Sequence, residues 1–103
     1  MISWKRLRKA IPPKLQLNKK SSYEVLWDMD KNSPTLGLLR IEEKQIVLNH
    51  TQDDKEAVHT YFHEVLHALS VEYDVDLTEK QVRALEKGLY WLIKPNNLFK
   101  SEE

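Results

Sequence analysis

Apolar positions recur along this chain with two different periods, and the change between them divides it. Up to residue 49 apolar and polar residues tend to alternate. Successive side chains of a strand point to opposite faces, so a period of two predicts half-buried strands. Residues 14–18 read as a short strand, and residues 18–21, with Asn18 and Ser21, as a turn. Residues 23–29 place Tyr23, Val25, Trp27 and Met29 on one side of a second strand. Residues 30–34 are a loop by composition. Residues 36–41 and 45–49 give two further strands, joined by Glu42-Glu43-Lys44 as a short hairpin connection. Gly37 marks a bulge, a close approach of another backbone, or only the strand start.

Beyond residue 50 the period lengthens to that of a helix. Val58, Phe62, Val65, Leu66 and Leu69 form one apolar stripe. Thr51-x-x-Asp54 resembles a capping box, and Asp53 before Lys55-Glu56 is a second start signal. Residues 73–77 break the pattern. A second helix then runs from about residue 78 to 94, with Val82, Leu85, Leu89, Leu92 and Ile93 as its stripe. Thr78 or Asp76 caps it, and Pro95 lies just past its end. Ahead of the strands, Ile2, Trp4, Leu7 and Ala10 have the spacing of one or two helical turns, or belong to a loose arm; Pro12 and Pro13 end any helix there. Strands first and helices second predict an α+β fold: a small antiparallel meander of about four strands with both helices on one face. The expected division is a basic arm (1–13), a single domain (14–95) and a mobile polar tail (96–103).

At 103 residues the chain is long enough for one small domain with a modest core. It has no cysteine, which excludes a disulfide framework and a thiolate metal site, and fits a cytoplasmic location. No apolar run approaches a membrane span, and the basic N-terminus lacks the apolar stretch of a signal peptide. Net charge is zero but uneven: Lys5, Arg6, Arg8, Lys9, Lys14, Lys19 and Lys20 fall within residues 1–20, where there is no acid. Such a run is commonly a solvated edge; its functional alternative is a nucleic-acid-binding arm.

The candidate chemistry lies on the first long helix, in Thr60-Tyr61-Phe62-His63-Glu64-Val65-Leu66-His67-Ala68-Leu69. Residues four apart on a helix stack one turn above each other. His63 and His67 can therefore aim both imidazoles at one point, the spacing a divalent metal needs from two nitrogen donors. Glu64 lies beside that point, placed to take a proton from activated water. A catalytic zinc wants a third protein ligand and an open position. A third histidine six residues after the second is excluded, because Tyr73 stands there. The remaining option is a carboxylate of the second helix. Glu79 and Glu86 are seven residues apart and share a flank, so helical geometry alone does not choose between them. An acid at position 79 also suits the first turn of a helix for dipole reasons.

His59, one turn before His63, is either a surface residue or a support for the site. His50, at the strand–helix junction, reads as structural or exposed. Tyr61, Tyr73 and Tyr90 carry phenols that could steady an oxyanion, though packing is the commoner use of such rings.

The stretch from residue 36 to 95 resembles a group of small phage- and mobile-element-encoded zinc metallopeptidases. More broadly it is similar to the gluzincin type of zincin, including the single-domain minigluzincins. The resemblance rests on the Gly37 hairpin, on Thr60-x-x-His63-Glu64-x-x-His67-Ala68, and on Thr78-Glu79-x-x-Val82-x-x-Leu85-x-x-x-Leu89. It implies a minimal zincin-like domain with Zn²⁺ as cofactor, His63, His67 and Glu79 as ligands, and Glu64 as general base. It implies a protein or peptide substrate, and the host cytoplasm as location if the chain is phage-encoded. In minigluzincins the chain's own tail can hold the cleft closed, a role open here to residues 98–103. The expected activity is peptide-bond hydrolysis. The alternatives are a zinc-holding regulatory or interaction module without turnover, and a nucleic-acid-associated protein using residues 1–20.

Overall fold

The computed structural model describes residues 2–96. Its elements are α1 (Trp4–Lys9), β1 (Lys14–Gln16), β2 (Ser22–Asp28), β3 (Gly37–Arg40), β4 (Gln45–Asn49), α2 (Asp54–Glu72) and α3 (Glu79–Ile93). The fold is α+β, a four-stranded sheet followed by two long helices. The tail, from residue 97 onward, lies outside the described residues.

Strand order departs from the expected antiparallel meander. The sheet runs β1-β2-β4-β3, and β2 pairs with β4 in parallel, Val25 opposite Ile46 and Trp27 opposite Leu48. Two features account for this. The eight residues between β2 and β3 are too many for a tight hairpin and let the chain cross the end of β4. The strand with the most deeply buried side chains, Ile46 and Leu48 in β4, then takes an interior position. β3 is left at the edge, antiparallel to β4 through a turn in which Lys44 adopts a φ of 55°.

One face of the sheet packs on α2. Tyr23, Val25, Ile46 and Leu48 cluster with Ala68, and Leu15, Trp27, Leu39, Tyr61 and Val65 pack around them. On the other side of α2 a second cluster joins Ile2 and Leu7 to Val58, Phe62 and Ile93. The N-terminal segment is therefore part of the core rather than a loose arm. Ser3 caps α1, its side chain accepting from the Arg6 N–H. One of the basic residues expected on a solvated edge is turned inward. Arg8 donates to the carbonyls of Gln52 (2.7 Å) and His50 (2.9 Å) and lies over the Trp27 ring.

The caps settle the helix boundaries. Asp53 caps α2, accepting from the Glu56 N–H at 2.8 Å, while Thr51 turns back to Asn49. Thr78 and Gln81 form a reciprocal capping box on α3, so Asp76 is not the cap. The stripe of α3 is also corrected. Leu85 and Leu92 are exposed, whereas Val82 and Ile93 are buried with Glu86 and Leu89 between them. The inward line is 82–86–89–93, and it contains a carboxylate.

Candidate metal centre

His59, His63 and His67 stand at four-residue intervals on one face of α2, and α3 lies across that face. Contacts run in opposite senses along the two helices: Glu79 meets His67 and His63, Glu86 meets His63 and His59, and Tyr90 stacks on His59. The helices are thus an antiparallel pair, returned by residues 73–78, where Asp74 takes a φ of 52°.

Nε2 of His63 and Nε2 of His67 are 3.3 Å apart. Oε1 of Glu79 lies 2.7 Å from the His67 nitrogen, and Oε2 lies 3.5 Å from that of His63. The three residues offer ligand atoms all within 4.8 Å of one another, a group that can hold a metal ion. A carboxylate oxygen and ring nitrogens can stand this close only with a proton or a cation between them. The structure therefore brings together the histidine pair and Glu79. It sets Glu86 behind them, with Oε1 at 3.2 Å from Nδ1 of His63 and Oε2 at 2.9 Å from Nδ1 of His59.

Glu64 occupies the neighbouring face of α2 and lines a cleft of about 370 Å³ together with Leu36, Gly37, His59, Thr60, His63 and Glu86. Burial pushes its carboxyl above the ordinary value; the nearby imidazoles of His63 and His67 pull the other way, and Glu79 adds to the rise. Gly37 explains how an edge strand comes so close. A Cβ at this position would overlap Cγ2 of Thr60 and lie 3.0 Å from Oε2 of Glu64. Its φ is not positive, so the glycine is needed for space and not for backbone conformation. Gly37 is the first residue of β3, as one sequence reading has it, and the groups that approach it are the side chains of Thr60 and Glu64 rather than another backbone.

Gln52 had no sequence signal, yet it fixes the cleft's geometry. Its buried amide donates to the carbonyls of Leu36 and Asn49, both at 2.9 Å, and accepts from the Thr60 hydroxyl at 2.8 Å. It thereby ties the start of β3, the end of β4 and α2 together next to Glu64. His50 is structural, its Nδ1 facing the Asp28 carbonyl at 3.1 Å. His59 is not a bare surface residue, since it packs against Trp4 and Tyr90 while bonding Glu86. None of the three tyrosines lines the cleft: Tyr61 joins both core clusters, Tyr73 donates to the Leu17 carbonyl, and Tyr90 stacks on Trp4 and on His59. Among the described residues no helix is long and apolar enough to cross a membrane. Compared with protein-family models, with curated proteins and with solved structures, the chain finds no match.

Proposed function

We propose that this protein is a zinc-dependent peptidase, with His63, His67 and Glu79 holding the ion and Glu64 as general base. The observation that carries the reading is the spacing of the donors. Four ligands placed tetrahedrally at about 2.0–2.1 Å from zinc are separated from one another by roughly 3.3–3.4 Å. The two imidazole nitrogens are 3.3 Å apart and one oxygen of Glu79 stands 3.5 Å from the first of them, while its other oxygen is in direct hydrogen-bond contact with the second at 2.7 Å, a contact that an ion would have to open by roughly 0.6 Å. Two neutral nitrogens and one carboxylate suit zinc and leave one position open.

Zinc held by this set would lower the pKa of water and polarise a carbonyl oxygen. The remaining work belongs to the chain. Glu64 takes the proton of the attacking water and passes it to the departing amine. β3 lies at the edge of the sheet beside Glu64, so its outer side is available to an extended peptide pairing main chain to main chain.

The test is metal content and peptide hydrolysis in the parent and in Glu64→Ala. The expected result is one zinc per chain in both, with cleavage only by the parent. Equal cleavage by the variant removes Glu64 from the mechanism. Zinc without cleavage in either favours a metal-holding module that does not turn over.

A further inference from the structure

We propose that Glu86 is the positioning residue of this metal centre, aligning His63 for the ion while His59 anchors its other oxygen. The inference rests on the metal-centre reading above and extends it to a residue that is not a ligand.

Glu86 occupies a core-facing place on α3, in line with Val82, Leu89 and Ile93. Its side chain is only 18% exposed. It is half-buried at the back of the cleft it helps to line, and a carboxylate withdrawn from water to that extent is stabilised by partners that satisfy it. Its partners here are two ring nitrogens, Nδ1 of His63 at 3.2 Å and Nδ1 of His59 at 2.9 Å. An ionised carboxylate only accepts, so both Nδ1 atoms must donate. A neutral imidazole carrying its proton on Nδ1 has a bare Nε2. In His63 that bare nitrogen is the one facing His67 and Glu79. Glu86 thus selects the tautomer a metal needs and holds the plane of the ring.

His59 contributes by keeping Glu86 in place. Its ring packs among Trp4 and Tyr90, with centroids 5.3 and 5.9 Å away, and the two aromatic rings stack on each other at 5.0 Å. α1, which supplies Trp4, is thereby connected to the centre through His59, Glu86 and His63. The spacing has a simple origin: histidines four apart on α2 face glutamates seven apart on α3. Each glutamate lies between two histidines, and His63 is common to both pairs.

Glu86→Gln keeps the size of the side chain, and circular dichroism and thermal melting of the metal-free chain check that it folds as the parent does. Zinc affinity is measured by competition with a chromogenic chelator, and the His63 tautomer by imidazole ¹⁵N NMR of the metal-free chain. The parent is expected to bind zinc and to hold His63 with its proton on Nδ1. Glu86→Gln is expected to bind about 10–100-fold more weakly, the size of effect typical for a partner of a metal-bound histidine, and to shift the tautomer. His59→Ala should cost less than Glu86→Gln; a larger loss would make His59 the controlling group and overturn the assignment. Unchanged affinity and tautomer in Glu86→Gln overturn this inference and leave the metal reading intact. A parent that binds no zinc overturns both.

Discussion

Oε1 of Glu79 lies 2.7 Å from Nε2 of His67 and reaches it from the first residue of α3. If Glu79 holds an ion, as proposed, it is only as well placed as the helix end that carries it. The Thr78–Gln81 capping box fixes that end: the Gln81 N–H donates to the Thr78 hydroxyl at 3.1 Å, and the Thr78 N–H donates to the Gln81 side chain at 2.9 Å. The contact predicts a linkage between metal and stability. An ion that binds only the folded chain stabilises it by about 2.7 kcal/mol when present at a hundred times its Kd. For a domain of this length that raises Tm by roughly 10–20 °C. Zinc should therefore raise the melting temperature, a chelator should reverse the rise, and Glu79→Ala should melt at one temperature with or without zinc. A full shift in Glu79→Ala would remove Glu79 from the ligand set.

Gly37→Ala tests the closeness of β3 to α2. The added methyl meets Thr60, a β-branched side chain whose hydroxyl is tied to Gln52 at 2.8 Å, and then Glu64. Either the strand retreats or the helix residues shift. Overpacking of this kind costs about 1–3 kcal/mol, and displacing a proton acceptor by about 1 Å costs about 100-fold in rate. Stability by chemical denaturation should fall, and so, on the proposed function, should peptide hydrolysis measured on the same variant. A variant as stable and as active as the parent would mean that the strand can stand further off without consequence.

Gln52→Ala leaves the Asn49 carbonyl and the Thr60 hydroxyl without their Gln52 partner, and takes from the Leu36 carbonyl one of its two donors, the other being the Asn49 N–H. Buried groups orphaned in this way cost about 1–3 kcal/mol. Arg8→Lys should destabilise for a related reason. The guanidinium serves two carbonyls at once, and an ammonium cannot present the same planar fork. Denaturant midpoints would check both, and Gln52→Ala should also loosen hydrogen-exchange protection in β3. Protection in β3 equal to the parent's would show that its position does not depend on Gln52.

What the sequence disclosed follows from how local each signal is. The His63–Glu64–His67 triplet needs only helical periodicity, which Val58, Phe62 and Leu66 supply, so the histidine pair was legible. Glu79 against Glu86 was not, because two residues seven apart share a helix face and only the packing of α3 on α2 separates them. The inward line of α3 was misjudged for the same reason. Leu85 and Leu92 look like core residues by hydropathy, yet the buried line runs through Glu86, whose burial is intelligible only once the imidazoles are seen beside it. Strand segments could be read from alternation, but the parallel β2–β4 pair is a long-range choice that alternation does not encode. Arg8 acts through carbonyls more than forty residues away, and Gln52 through the Leu36 and Asn49 carbonyls and the Thr60 hydroxyl, contacts that leave no periodic pattern to find.

The far end of the sheet predicts how stability depends on pH. Tyr23 is fully buried, and its hydroxyl donates to Oε2 of Glu72 at 2.9 Å. Burial, with the bond to Glu72 and that residue's charge, raises its phenol from 10.0 to about 12; burial alone does the same for Tyr61. A group whose folded pKa is raised gives its full stabilisation below the unfolded value and loses it as pH rises through the folded one. The chain should therefore lose stability between about pH 10 and about 12. Glu72 works in the opposite sense. Hydrogen bonds from Ser21 and Tyr23, aided by Lys44, hold its carboxyl below the ordinary 4.5, so its contribution is present above that value and fades as pH falls through the lowered one. Tyr23→Phe touches both limits. It should shrink the alkaline loss, leaving the part due to Tyr61, and move the acid transition of Glu72 upward toward its ordinary value. Denaturant unfolding across pH, with phenolate absorbance followed in parallel, reads both ends. If Tyr23→Phe and the parent trace the same curve at both extremes, the Tyr23–Glu72 bond is not what couples the stability of this region to protons.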